Sequence, residues 1–169
     1  INFMDELGSN VYKVNKFDMI SCQFAMHYFM KNKSTFSNFM NNIERYIKPK
    51  GFFIGTAFDG LTIYNLLKNK DYIEFKNKNK ILFKIEKLYK NGKINDFGKN
   101  INVYIESIGT NEEYLLNFDF VTQEFEHRGF KLIESNSFEK LYKPTTAIKM
   151  SEVEKQFSFL YRYFVFQKK

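Results

Sequence analysis

The sequence of this protein is short of several residue types that mark secreted, membrane or metal-binding proteins. Its 169 residues contain a single cysteine, two prolines and two histidines, and no tryptophan. One cysteine excludes an internal disulfide framework and is typical of a reducing compartment, and Cys22 is predicted to be a small buried residue. No apolar run approaches the length of a membrane span. These absences predict an intracellular protein, in the cytoplasm or the nucleus.

The usual signatures of enzyme active sites are absent as well. The chain has no Gly-rich phosphate loop, no P-loop, and no paired Cys or His at metal-ligand spacing. With only His27 and His127 available, the spacing indicates no Ser-His-Asp arrangement. We therefore expect neither a metal site nor a catalytic nucleophile on the protein. A chain of this length is typical of one ordinary domain, residues 1–169.

Aromatic and basic residues, in contrast, are abundant. There are 21 Phe and 11 Tyr, and the formal net charge is +7 with an isoelectric point near 9.3. The charge favours polyanionic partners such as nucleic acid. An AT-rich gene would inflate Phe and Lys together, so we interpret the Phe excess as core packing and the charge as modest support for a nucleic-acid partner.

The hydrophobic pattern predicts an α/β fold that begins with a strand–helix–strand unit. Phe17 to Cys22 is predicted as a buried strand, and Ser34 as the cap of a helix with apolar positions from Phe36 to Ile47. Pro49 and Gly51 end that helix, and Phe52 to Phe58 forms the next strand. A short connection of this kind favours a parallel pair with a right-handed crossover. A second helix is predicted from Asp59 and Gly60 through Leu67.

The middle of the chain changes to a pattern typical of antiparallel strands. Ile81 to Tyr89 and Ile101 to Ile108 are predicted strands, separated by a loop rich in Gly and Asn. The remaining predictions are a helix capped by Asn117 or Asp119 and ending at Gly129, a strand at Lys131 to Glu134, a helix with a Ser151–Glu154 capping box, and a closing strand at Tyr161 to Phe166.

Four polar and aromatic residues follow the first predicted strand directly. They are Gln23, Phe24, His27 and Tyr28, in the segment FDMISCQFAMHYF. Open α/β sheets bind ligands just beyond the carboxyl ends of their strands. An amide, two aromatic faces and an imidazole are suited to a flat, polar, nitrogen-rich ligand, so this position is a candidate binding site.

Taken with three later stretches, this segment resembles the mRNA cap guanine-N7 methyltransferases. The later stretches are YIKPKGFFIGT, NEEYLLNFDFVTQEFEHRGFKLIES and SEVEKQFSFLYRYFVFQKK, in the family's order and over nearly the whole chain. The resemblance implies a Rossmann-like class I methyltransferase fold. This chain would hold the C-terminal portion of the mixed sheet, with an inserted antiparallel cap-binding segment.

The resemblance also implies a cofactor, S-adenosyl-L-methionine, and roles for individual residues. Asp5, Gln23 and Tyr28 match positions that contact the cofactor, Asp5 through its adenine. Phe24, His27, Glu113 and Tyr161 match residues of the cap-guanine pocket. No catalytic side chain is implied, because an unprotonated guanine N7 needs no general base and catalysis would rest on orientation.

The resemblance lacks the family's first half. The Gly-rich turn, the acidic residue for the cofactor ribose and the basic residues for the cap triphosphate would lie upstream of Ile1, a residue that does not initiate translation. We expect this chain to be the C-terminal part of a longer polypeptide and to bind the cofactor weakly when alone. The expected partners are capped RNA and the rest of a capping polypeptide or a capping-complex subunit. A large DNA virus, a plasmid-like element or a protist would fit the AT-rich coding.

Most of the candidate residues have a structural alternative. They could be a loop cap (Asp5), a histidine at a helix start or in the core (His27), core aromatic residues (Phe24, Tyr28 and Tyr161), or a surface carboxylate in a polar turn (Glu113), with Glu112 then the more important carboxylate. Two other functions also stay open at this point. One is a methyltransferase for another RNA position or a small molecule, and the other is a noncatalytic subunit of a capping complex.

Overall fold

The computed structural model describes residues 16–90, 93–94, 97–143 and 149–169, so that Asp5 lies outside the described residues. The strands are β1 Phe17–Gln23, β2 Ile47–Phe58, β3 Tyr72–Asn77, β4 Lys80–Lys87, β5 Asn100–Ile105, β6 Gly109–Tyr114, β7 Phe130–Ser137 and β8 Tyr161–Lys168. The helices are α1 Lys33–Tyr46, α2 Gly60–Leu66, α3 Phe118–His127, α4 Phe138–Leu141 and α5 Glu152–Ser158, and a 3₁₀ helix spans Met26–Lys31.

The first sheet is mixed, with the strand order β1-β2-β8-β7. β1 and β2 pair in parallel, as the strand–helix–strand pattern predicted, whereas β8 is antiparallel to both β2 and β7. One face of this sheet carries the larger core, where Phe53 stacks on Phe125 with ring centroids 5.1 Å apart. Apolar residues of α1 and α3 cover this face, including Phe39, Met40 and Val121.

The second sheet is antiparallel, with the order β3-β4-β5-β6, and it lies in the chain between α2 and α3. The predicted antiparallel strands are β4 and β5. Sequence reasoning missed β3 and β6, the strands at the two edges. A second core lies on the inner face of this sheet, where Ile85 and Ile101 pack with Ile63 of α2 and Phe157 of α5.

Cap residues set most helix starts, and one of them differs from the prediction. Asn32, not Ser34, caps α1, because its side-chain oxygen accepts the Thr35 N–H at 2.9 Å. Ser34 lies inside the helix, and Ile47 begins β2 instead of ending α1. Asp59 caps α2, Asn117 caps α3, and Ser151 with Glu154 forms the predicted capping box of α5.

The prediction that β1 is buried is wrong for the part of the chain that the structure describes. Its odd-numbered residues point away from the larger core, and Phe17 and Met19 are 48% and 56% exposed. Cys22 points toward that core and is half-buried. Among the strands that the structure describes, β1 pairs with β2 alone. Within the described residues, no helix has the length and apolar character needed to span a bilayer.

Candidate functional site

The carboxyl end of β1 turns sharply at Phe24. This residue has φ 51°, in the left-handed region, and its N–H donates to the carbonyl oxygen of Thr56 at 3.0 Å and to the Thr56 hydroxyl at 3.1 Å. Left-handed backbone is unfavourable for a residue with a Cβ, and such strain concentrates at functional sites. The turn leaves the Phe24 ring 49% exposed beyond the end of the strand.

The 3₁₀ helix that follows places His27 inside the protein and Tyr28 at its surface. Met26, Phe29 and Met30 anchor this helix in the larger core. His27 is 4% exposed, and its ring lies 4.1 Å from the ring of Tyr28 between centroids. Four of the six residues of this short helix are therefore buried, and His27 is the one with polar atoms in its side chain.

Glu113 reaches the same place from the second sheet. In β6 it pairs with Ile101 and is only 9% exposed, since it occupies the inward-facing register position. Its neighbour Glu112 points outward, where it accepts hydrogen bonds from the Tyr114 hydroxyl at 3.1 Å and the Asn100 amide at 3.3 Å. The period of two in a strand thus separates two adjacent carboxylates.

His27 and Glu113 face each other without forming a normal hydrogen bond. The distance from His27 Nδ1 to Glu113 Oε2 is 3.5 Å, which is long for a hydrogen bond. Both ring nitrogens of His27 and the Oε2 atom of Glu113 are buried and have no hydrogen-bond partner among the described residues. Because unsatisfied buried polar groups are costly, such a group of three indicates a ligand site.

Burial sets the protonation of this pair in opposite directions. It lowers the pKa of His27 to about 4 and raises the pKa of Glu113 to about 7. His27 is therefore neutral at pH 7, and Glu113 is poised between its two forms. Burial, followed by the charge of Glu113, also raises the pKa of the Tyr28 and Tyr161 hydroxyls, which indicates that both lie near this carboxylate.

Aromatic rings form one wall of the site. Tyr161, the first residue of β8, stacks on Phe58 with centroids 3.9 Å apart and an interplanar angle of 21°. The edge-on contact between Phe24 and Tyr161 has centroids 5.1 Å apart. Phe138 of α4, which sequence reasoning missed, contacts both of these rings. The structure thus brings together Phe24, His27, Tyr28, Glu113 and Tyr161.

Gln23 lies at the same end of β1 but on the open side. It is exposed, and its amide donates to the Ser21 hydroxyl at 2.9 Å. Gln23 and the half-exposed Tyr28 lie at or just beyond the carboxyl end of β1, the position where parallel sheets bind ligands. No group of three or more metal-binding side chains occurs in the described parts of the chain.

Comparison with solved structures identifies the fold. One match is a putative S-adenosylmethionine-dependent methyltransferase from Listeria monocytogenes. The superposition covers 95% of this chain and 65% of the Listeria chain, with a TM-score of 0.58 and 13% sequence identity. A second match is an S-adenosylmethionine-dependent methyltransferase from Clostridium acetobutylicum. Here the superposition covers 95% of this chain and 61% of the Clostridium chain, with a TM-score of 0.56 and 12% sequence identity. The predicted Rossmann-like class I methyltransferase fold is confirmed.

Comparison of sequences is more specific. A probable mRNA-capping enzyme of Acanthamoeba polyphaga mimivirus is 33% identical over 144 residues, which cover 79% of this chain and 12% of the viral protein. The mRNA cap guanine-N(7) methyltransferase of Caenorhabditis elegans is 27% identical over 135 residues, 79% of this chain and 36% of the worm protein. The chain thus spans a minor part of these relatives.

The model of one protein family covers almost the whole chain. It matches residues 2–162, and its description is the mRNA (guanine-N(7))-methyltransferase domain. The matched range includes every residue of the candidate site from Phe24 to Tyr161. The chain therefore belongs to the mRNA (guanine-N(7))-methyltransferase domain family.

Proposed function

We propose that this chain carries the cap-guanine pocket of an enzyme that transfers a methyl group from S-adenosylmethionine to N7 of the 5′ cap guanine of RNA. The observation that carries this proposal is the buried pair His27 and Glu113, which has three polar atoms without a hydrogen-bond partner among the described residues. The pair lies near Tyr161, whose ring contacts that of Phe24. The family and the mRNA-capping names of two relatives support it.

The hydrogen-bonding groups of the pair complement those of guanine. A carboxylate accepts two hydrogen bonds in parallel, and guanine offers N1–H and the exocyclic amino group side by side. The neutral ring of His27 has one N–H to donate, and guanine O6 accepts. Adenine has an acceptor at N1 and one amino donor beside it, so it cannot donate two parallel hydrogen bonds to the Glu113 carboxylate. By analogy with base-edge readout, such discrimination is worth about 1–3 kcal/mol.

The aromatic wall supplies a second, less specific part of the affinity. Phe24 presents a half-exposed ring, and Tyr161 is held by stacking on Phe58. Stacking of a base on an aromatic side chain contributes about 1–3 kcal/mol. We propose that the rings bind the guanine plane while His27 and Glu113 select its edge.

In this reaction the protein has only to align the two reactants. Guanine N7 carries a lone pair at neutral pH, so no side chain has to remove a proton. S-adenosylmethionine, when bound, would supply a methyl group already activated by its positive sulfur. Gln23 and Tyr28 would hold one end of the cofactor, and the pocket would aim N7 at it. Positioning two reactants in this way can supply about 7–11 kcal/mol.

We propose that further polypeptide, beyond the residues that the structure describes, completes the cofactor site. Phe17, Met19 and Phe52 are all at least one-third exposed on one face of the first sheet, and the solved relatives are longer than the matched part. Exposed apolar surface of this kind marks a contact with further protein. We expect the 169-residue chain to bind S-adenosylmethionine with a dissociation constant well above micromolar. A micromolar value measured by calorimetry on this chain would contradict the proposal.

The activity is tested by methyl transfer from labelled S-adenosylmethionine to GpppA-capped RNA. The protein is this chain, joined if necessary to the rest of its parent polypeptide so that the cofactor binds. Glu113→Gln keeps the shape of the side chain but replaces one acceptor with a donor. We expect label on guanine N7 and a loss of about tenfold or more in kcat/KM for Glu113→Gln.

Glu112→Gln is the matched control, because Glu112 is the adjacent carboxylate and points away from the pocket. It should leave kcat/KM within about twofold of wild type, as surface changes usually do. Cofactor binding without cap methylation would indicate another methyl acceptor. Absence of cofactor binding in the longer protein would indicate a noncatalytic subunit of a capping complex.

A further inference from the structure

The ring of Tyr161 stacks on two other rings among the described residues, and only one of the two belongs to a buried core. Phe58 stacks on Tyr161 with centroids 3.9 Å apart and is 3% exposed. Phe138 stacks on Tyr161 with centroids 5.8 Å apart and an angle of 29°. Phe138 is half-buried and, within the described residues, is part of neither core cluster. Its packing is therefore directed mainly at the site.

Phe138 also contacts the most exposed ring of the pocket. Its centroid lies 6.1 Å from that of Phe24 in an edge-on arrangement at 83°. Phe24 is held from the opposite end by its backbone, which donates to both oxygens of Thr56. Phe24, Phe138 and Tyr161 thus form a closed triangle of ring contacts, with sides of 5.1, 5.8 and 6.1 Å.

The triangle has a consequence for binding. A phenylalanine that is 49% exposed would normally sample several rotamers, and a ligand that stacks on it would have to select one. Ordering a mobile side chain on binding costs affinity, and holding it beforehand recovers that affinity. The short helix α4 places Phe138 in edge-on contact with the Phe24 ring.

We propose that Phe138 is a positioning residue of the cap pocket, which fixes the Phe24 ring against Tyr161 so that the ring is ready to stack on the guanine. This inference rests on the proposed function. It assigns Phe138 no contact with the cofactor or with the reacting atoms. Phe138 therefore acts on affinity for the cap and not on the methyl-transfer step.

The test is the split between KM and kcat in the protein form that methylates capped RNA. Phe138→Ala should raise KM for GpppA-capped RNA by about five- to tenfold, a fraction of the value of one stacking contact. It should leave kcat within about twofold and the affinity for S-adenosylmethionine unchanged. Phe138→Tyr keeps the ring and should restore the wild-type KM. If alanine unfolds the protein, Phe138→Leu replaces it.

Phe120→Ala is the matched control for a general loss of packing. Phe120 is also half-buried and contacts two rings, Phe36 at 5.6 Å and Phe97 at 5.4 Å, on the side of α1 and α3. It should lower the melting temperature without changing KM for the cap. An equal rise in KM for Phe120→Ala and Phe138→Ala would overturn the proposal, because KM would then follow stability alone.

A double-mutant cycle tests whether Phe138 acts through Phe24. With Phe24→Ala already present, Phe138→Ala should raise KM much less than it does in the wild-type protein. The same factor in both backgrounds would overturn the proposal. Activity of the wild-type protein distinguishes a failure of the proposed function from a failure of the role of Phe138. Absence of cap methylation in wild type contradicts the proposed function, whereas an active wild type with an unchanged KM in Phe138→Ala contradicts only the role of Phe138.

Discussion

The region beyond the carboxyl end of β1 differs sharply in burial from the outward face of the same strand. Beyond its carboxyl end, His27 and Glu113 are at most 9% exposed, and the His27 ring contacts the ring of Tyr28. Along its length, Phe17 and Met19 are about half exposed. Polar atoms are thus enclosed where a ligand would bind, and apolar side chains are open where a protein interior would be expected. The described residues thus enclose His27 and Glu113 beyond the end of β1 and leave the outward face of β1 open.

The difference follows from which elements this chain supplies. The inserted antiparallel sheet brings Glu113, the 3₁₀ helix brings His27, and β8 brings Tyr161. All three residues lie at or beyond the carboxyl ends of β1 and β2, and each comes from an element of the described residues. The outward face of β1 and β2, in contrast, carries Phe17, Met19 and Phe52 with no helix from the two described cores packed on it.

The largest expected effect sharpens this comparison at two adjacent residues of β2. Phe53 is fully buried and contacts Phe39, Phe125 and Phe164, whereas Phe52 points to the open face and is 37% exposed. Phe53→Ala should lower the free energy of unfolding of this chain by about 3–5 kcal/mol, through lost burial and a cavity. Phe52→Ala should cost less than about 1 kcal/mol. Urea denaturation of both variants measures the difference, and similar losses would show that the open face is covered.

A moderate effect is expected in the pH dependence of cap binding. Burial raises the pKa of Glu113 to about 7, and only the ionised carboxylate can accept both guanine donors. Affinity for a GpppA cap should therefore fall as the pH is lowered from 8 to 6, by about tenfold, since one pKa unit corresponds to about 1.4 kcal/mol. Titration by fluorescence or calorimetry measures this change.

The variant Glu113→Gln should bind the cap weakly at both pH values and lose this dependence. His27 cannot produce the same profile, because its lowered pKa of about 4 keeps it neutral over the whole range. A wild-type affinity that stays constant between pH 6 and pH 8 would contradict the assignment of Glu113 to the guanine edge.

The sequence predicted the strands and helices that carry the site better than the burial and contacts of their side chains. The strand–helix–strand unit was predicted because hydrophobic spacing changes from strand to helix and back, and Asp59 and Ser151 marked helix starts through their cap chemistry. These signals are local. The misplaced start of α1 arose because Asn32 and Ser34 are both good caps, and only the geometry distinguishes them.

The features that sequence reasoning missed are non-local. The segment Gly109–Tyr114 is polar and shows no alternating hydrophobic pattern, so the inward position of Glu113 became clear only from its register with Ile101. Phe138 carries no periodic signal, since its role depends on α4 lying beside β8. The exposure of β1 depends on which strands and helices surround it, and the residues of the strand itself do not determine that.

A further effect, similar in free energy to the change in cap affinity, concerns stability, and it tests whether Glu113 is retained for function at a cost to the fold. In the folded protein the pKa of Glu113 is raised from 4.5 to about 7 by burial. The stability from this shift is fully present below pH 4.5, and it is lost as the pH rises through about 7, where the folded protein must hold a buried charge. Glu113→Gln removes this titration.

The pKa of His27 is lowered, so its stabilising contribution is present above pH 6.5 and lost as the pH falls through about 4, in both the wild-type protein and the Glu113→Gln variant. The gain in unfolding free energy from Glu113→Gln should therefore grow between pH 5.5 and pH 8 by about 1–2 kcal/mol, as measured by urea denaturation. A difference that is constant across this range would mean that Glu113 titrates normally and is not enclosed with His27.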